Sequence, residues 1–120
     1  MAVTSSGENW IFTGTYYWPL NDYVQFFAYA TDDAVTEYSV SAGLPTLKYT
    51  IASDVKSQKD FVVAQANDKK KMAEALQLTF THALTQVNFS VIGADNSTYK
   101  ISSVSIEGVA ESGVYSFKNR

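Results

Sequence analysis

The stretch "LQLTFTHALTQVNFSVIG", residues 76–93, alternates apolar and polar side chains on both sides of the only histidine in the chain. The alternate apolar positions are Leu76, Leu78 and Phe80 before His82, and Val87, Phe89 and Val91 after it. This period of two predicts β-strands, because successive side chains of a strand point to opposite faces. We therefore expect two strands here, joined at a bend that contains His82.

The same alternation recurs along most of the chain. The clearest case is "TLKYTIA", where Leu47, Tyr49 and Ile51 alternate with polar residues. Further strand candidates are residues 10–12, 16–18, 23–30, 61–66, 99–106 and 114–117, with Tyr115 and Phe117 expected to face a core. About seven short strands separated by turn residues predict an all-β fold, an antiparallel β-sandwich or barrel.

Three interruptions shape this prediction. Residues 31–45 read as a loop that ends at Gly43 and Pro45. The segment "NDKKKMAEALQ", residues 67–77, has the only helical character, over a turn or two. A change of phase at Ser102 and Ser103 predicts a β-bulge.

Composition limits the class of protein. The 120 residues are 46% hydrophobic and 18% charged, which predicts one globular domain over residues 1–120. A net charge of −3 argues against nucleic-acid binding, which requires a clustered basic surface. The absence of cysteine excludes disulfides and thiolate metal sites. No apolar run is long enough to span a membrane, and no signal peptide is visible in "MAVTSSGENW".

The candidate catalytic groups lack partners. A triad needs a nucleophile and an orienting carboxylate near the histidine, and a zinc site needs a second histidine or a cysteine. We predict instead that His82 hydrogen-bonds backbone at the strand bend. The adjacent Asp32 and Asp33 lie in turn sequence, and the spacing of a calcium loop does not occur. The sequence therefore predicts no enzyme, no cofactor and no metal.

Aromatic residues offer an alternative function. The chain has eight Tyr, seven Phe and two Trp. Exposed rings on a β-sandwich can stack on sugar faces, and Trp10, Tyr16 and Trp18 are the candidates for such a carbohydrate-binding module. Aromatic residues on strands more often pack in the core, so this interpretation is the second choice.

Four segments in order resemble the fimbrillin family, subunits of surface fimbriae of Gram-negative anaerobes. They are "YYWP" followed by "VQFFAYA", "KDFVVAQA", "LTFTHALTQVNFSVIG" and "YKISSVSIEGVAESGVYSF". The resemblance covers roughly residues 16–117 and rests on the order and spacing of the set. It implies a transthyretin-like, Greek-key β-sandwich with no catalytic residues.

The resemblance also implies partners and location. Such subunits are exported as lipoproteins to the outer membrane and processed by a protease. They polymerise with one another by strand exchange into cell-surface fimbriae that contribute to adhesion. An open sandwich exposes unpaired backbone and an apolar groove, which a partner strand fills. We expect the groove or edge to include Leu78, Phe80, Val87, Phe89 and Val91.

The chain departs from the family in length. Family members are usually longer, with a lipid-attachment cysteine and a second β-sandwich domain, and residues 1–120 show neither. We therefore expect a shortened version or a fragment of the N-terminal domain. Such a domain should leave strand edges unpaired and should self-associate.

Overall fold

The computed structural model describes residues 1–30, 35–93, 95 and 98–118. Within these ranges the chain forms eight strands and a single turn of 3₁₀ helix at Val55–Ser57. The strands are β1 Val3–Ser6, β2 Asn9–Phe12, β3 Val24–Ala30, β4 Val35–Ser41, β5 Leu44–Thr50, β6 Val62–Lys69, β7 Thr81–His82 and β8 Ser112–Ser116. The all-β prediction is therefore confirmed.

The strands form three antiparallel sheets. Strands β1 and β2 make a separate hairpin, with Val3 opposite Phe12. One three-stranded sheet has the order β3-β6-β7, and the other has the order β4-β5-β8. Every described pairing is antiparallel, as predicted.

The two three-stranded sheets share one core. Its buried residues come from β5, β6 and the segments beside β6 and β8: Leu47, Tyr49, Phe61, Val63 and Phe117. The Tyr49 ring stacks on Phe61, and Phe27 of β3 packs on Phe117, each with ring centroids 5.0 Å apart. The prediction that Tyr115 and Phe117 face a core is confirmed, because Phe117 is buried and Tyr115 packs against the core half-buried. Burial of these rings stabilises the contact between the sheets.

The prediction of a loop over residues 31–45 is wrong from Val35 onward, where β4 begins; residues 31–34, with Asp32 and Asp33, lie outside the described residues. Strand β4 pairs with β5 through a two-residue turn, Ala42-Gly43. Both turn residues have positive φ, 51° and 79°, as a type I′ turn requires.

The prediction of a helical segment over residues 67–77 is also wrong. Strand β6 continues to Lys69, and residues 70–77 form no helix. A turn or two of helix with few apolar contacts does not recover the cost of nucleation. Along the described chain, no helix is long and apolar enough to cross a membrane.

Several predicted strands do not form. Residues 16–18, 76–80 and 87–91 are irregular, and so are the described residues of 98–106. The predicted bulge at Ser102 and Ser103 is absent with its strand. Register shifts occur instead between β3 and β6, near Val24, and between β4 and β5, near Val35. Alternation alone does not make a strand, because a strand also needs a neighbouring backbone to pair with.

Candidate assembly surface

The outer face of the β4-β5 pair carries polar side chains. Lys48 on β5 forms an ion pair with Glu37 on β4 at 3.0 Å. On the same sheet the Ser39 and Thr46 hydroxyls form a hydrogen bond. Because polar side chains are stable in contact with water, this face does not need another sheet or subunit packed against it.

The outer face of the β3-β6 pair is apolar. Phe26 and Ala28 on β3 lie opposite Ala66 and Ala64 on β6, so all four side chains share one face. Ala64 and Ala66 are buried. The ring of Trp18 packs on Phe26 with centroids 5.5 Å apart. This sheet therefore carries apolar side chains on both faces, as the alternation of residues 23–30 suggests.

The sequence pattern alone does not reveal this outer face. Its signal is present in "FVVAQA", where Ala64 and Ala66 occupy the phase opposite to Phe61 and Val63. Small side chains carry little hydrophobic pattern, so only the strand register reveals the face that they share with Phe26.

The five predicted groove residues divide into two groups. Leu78 and Phe80 immediately precede β7; Leu78 is half-buried and Phe80 is 44% exposed. Val87, Phe89 and Val91 lie in an irregular segment and are 55–63% exposed. We call residues 85–92 the exposed segment. Its apolar side chains keep the alternation of a strand, but no described strand pairs with it.

The three candidate sugar-stacking residues also separate. Trp10 on β2 is 71% exposed. Tyr16 packs edge-on against Phe12 with centroids 5.4 Å apart, whereas half-buried Trp18 packs on Phe26. Among the described residues no ring contact joins the three candidates, and Trp18 has a packing role on the outer face.

His82 is a surface corner residue. Its Nδ1 lies 2.7 Å from Asp60 Oδ2, and both side chains are more than half exposed. The prediction that the His82 side chain hydrogen-bonds backbone is therefore wrong, because its partner is the Asp60 carboxylate. Asp60 Oδ1 in turn accepts a hydrogen bond from the backbone N–H of Phe61 at 2.8 Å. The geometry tethers the start of β6 to the end of β7.

Two further acids form local hydrogen bonds. Asp54 accepts hydrogen bonds from the Lys56 N–H and the Ser57 hydroxyl at the 3₁₀ turn. Asp95 accepts one from the Tyr99 hydroxyl at 3.0 Å. In the part of the chain that the structure describes, no three His, Asp or Glu side chains come together in a way that could hold a metal.

Comparison with known proteins identifies the family. A family model described as fimbrillin-like matches residues 1–120. No curated protein and no solved structure matches the chain. The match spans the whole chain, and it agrees with the ordered motifs in the sequence and with the antiparallel fold. The chain belongs to the fimbrillin-like family.

Proposed function

We propose that this chain is a structural subunit of bacterial surface fimbriae that assembles by β-strand exchange and contributes to adhesion. The observation that carries the proposal is the match to the fimbrillin-like family over residues 1–120. In this proposal the chain is one β-sandwich domain of transthyretin-like type. Its partners are copies of itself or other fimbrial subunits, and it reaches the outer membrane as a lipoprotein.

The exposed segment supports strand exchange physically. Val87, Phe89 and Val91 present apolar side chains at every second residue, which is the pattern that fills alternate pockets of a groove. Their backbone has no described strand beside it. A subunit that supplies an open edge would satisfy this backbone and cover these side chains in one step.

Paired valine substitutions test this role. Val91 is 63% exposed on the exposed segment, and Val114 on β8 is 65% exposed. Val91→Lys should reduce self-association, because an ammonium group cannot enter an apolar groove without a large desolvation cost. Val114→Lys introduces the same charge at equal exposure and should leave association unchanged. The measurement is light scattering after gel filtration over a range of protein concentrations.

Two results would contradict the proposal. A wild-type chain that remains monomeric at every concentration would exclude self-assembly through its own surfaces. Equal association of Val91→Lys and wild type, with loss in Val114→Lys, would move the interface to the β8 edge. Circular dichroism of all three proteins distinguishes lost association from lost folding.

A further inference from the structure

Strand β7 is only two residues long, although the sequence before it keeps a strand pattern. Val62 lies opposite His82 and Val63 opposite Thr81, and the Ala83 N–H donates to the Phe61 carbonyl at 2.8 Å. The antiparallel register between β6 and β7 is therefore fixed. Beyond Val63, no described residue pairs with β6 on this side.

Extending the register by three residues gives a definite set of neighbours. Continuation places Phe80 opposite Ala64, Thr79 opposite Gln65, and Leu78 opposite Ala66. Opposite residues of an antiparallel pair share a face. The two apolar side chains would therefore join the outer face of the β3-β6 pair, and the threonine would lie on the core side.

The bulge in β6 sets the limit of this extension. The pairing with β3 shifts by one residue between Ala66 and Lys69, and Asp68 there has a positive φ of 53°. A bulge disrupts the ladder locally and bends its strand. The extension therefore ends at Ala66, and residues 78–80 are the whole segment that can pair.

We propose that residues 78–80 are a guard strand, which closes reversibly on the β6 edge of its own chain and controls access of another subunit's strand to that edge. The proposal rests on the proposed assembly function. The guard strand is tethered at Thr81, which already pairs with β6. This tether gives it a local concentration that a free partner does not have.

Closure is weak enough to be reversible. Hydrogen-bonded and non-hydrogen-bonded pairs alternate along an antiparallel ladder. The Ala83 N–H bonds the Phe61 carbonyl, so bonded positions recur at every second residue of β6 from Phe61. After Val63 and Thr81, the next bonded pair would therefore be Gln65 and Thr79. The guard strand would therefore gain only one bonded pair, and a longer partner strand along β6 could replace it.

A disulfide tests closure directly, since the chain contains no cysteine. Ala66 and Leu78 would form a non-hydrogen-bonded pair, whose Cα spacing of about 4.5 Å suits a disulfide. The variant A66C/L78C should form an intramolecular disulfide under mild oxidation. The control A66C/Q77C places its two thiols on opposite faces and should not. Peptide mapping separates bonds within a chain from bonds between chains.

The crosslinked protein then tests control of assembly. Oxidised A66C/L78C should lose self-association, and reduction should restore it, with no such change in A66C/Q77C. Equal oxidation of the two pairs, or bonds only between chains, overturns the guard strand. A bond within the chain with unchanged association overturns its control of the edge but leaves assembly standing. A wild-type chain that never associates removes the assembly function and the control together, whatever the crosslink shows.

Discussion

At the scale of single residues, Asp60 connects the core to its surface corner. One carboxylate oxygen accepts the backbone N–H of Phe61, which is 1% exposed, and the other lies against His82. Nearby, the Tyr49 hydroxyl donates to the Lys59 carbonyl, so the buried tyrosine keeps a polar partner. The residues just before β6 are therefore held by polar contacts on one side and by stacked rings on the other.

His82→Ala should cost little stability. Its side-chain contact with Asp60 is exposed to water, and even exposed ion pairs contribute only about 0.2–1 kcal/mol to the free energy of unfolding. The 1–3 kcal/mol typical of an unsatisfied buried partner does not apply here. Asp60→Ala should cost more, because it also removes the acceptor of the Phe61 N–H. Urea unfolding of both variants checks this order, and a larger loss for His82→Ala would contradict it.

At the scale of elements, the turn of the β4-β5 hairpin contains an unfavourable residue that a substitution can improve. Ala42 occupies the first turn position with φ of 51°, a left-handed conformation that disfavours any residue with a Cβ except asparagine and aspartate. Gly43 follows with φ of 79° and suits its position. The type I′ turn prefers Asn-Gly, so this turn has only half of its usual sequence signature.

Ala42→Asn should therefore stabilise the protein. Relief of the left-handed strain should raise the free energy of unfolding by about 0.5–1 kcal/mol. The matched control is Gly43→Ala, which adds a Cβ at positive φ and should destabilise the hairpin although no atom obstructs it. Thermal and urea unfolding measure both changes. A lower unfolding midpoint for Ala42→Asn would contradict the turn geometry.

The elements also show what the sequence can predict. Strand β5 was predictable because Leu47 and Tyr49 alternate without interruption. Strand β4 was not, since a register shift after Val35 breaks its alternation and its turn lacks asparagine. Residues 87–91 alternate as clearly as β5, but no described strand pairs with them. Alternation reports which side chains share a face, whereas pairing depends on distant backbone that no local pattern encodes.

The candidate surface was predictable to the same extent. Large apolar side chains give a strong pattern, which is why the sequence offers Leu78, Phe80, Val87, Phe89 and Val91 as candidates. The outer face was missed because Ala64 and Ala66 become part of it only through their register with β3. Likewise, the position of Trp18 follows from a tertiary contact with Phe26 rather than from its neighbours in sequence.

At the scale of the whole molecule, the chain is extended. Its radius of gyration is 20.1 Å and its extents are 70 × 33 × 26 Å. A compact domain of this length has a radius of gyration of about 14 Å. The larger radius of gyration agrees with a separate β1-β2 hairpin and with the many large apolar side chains that are exposed to solvent. Such surface favours association, because covering it removes apolar area from water.

Hydrogen exchange should follow this division of the molecule. In the monomer, amides of β5 and β6 should exchange slowly, since both strands are bonded within sheets around the core. Amides of the exposed segment, residues 85–92, should exchange at nearly the unfolded rate because no described strand pairs with them. In the assembled state the exposed segment should become protected, while β5 remains unchanged as an internal control.

Mass spectrometry of pepsin fragments resolves these regions. Protection of residues 85–92 already present in the monomer would show that the chain covers this segment by itself, and unchanged fast exchange after assembly would place the subunit contact elsewhere.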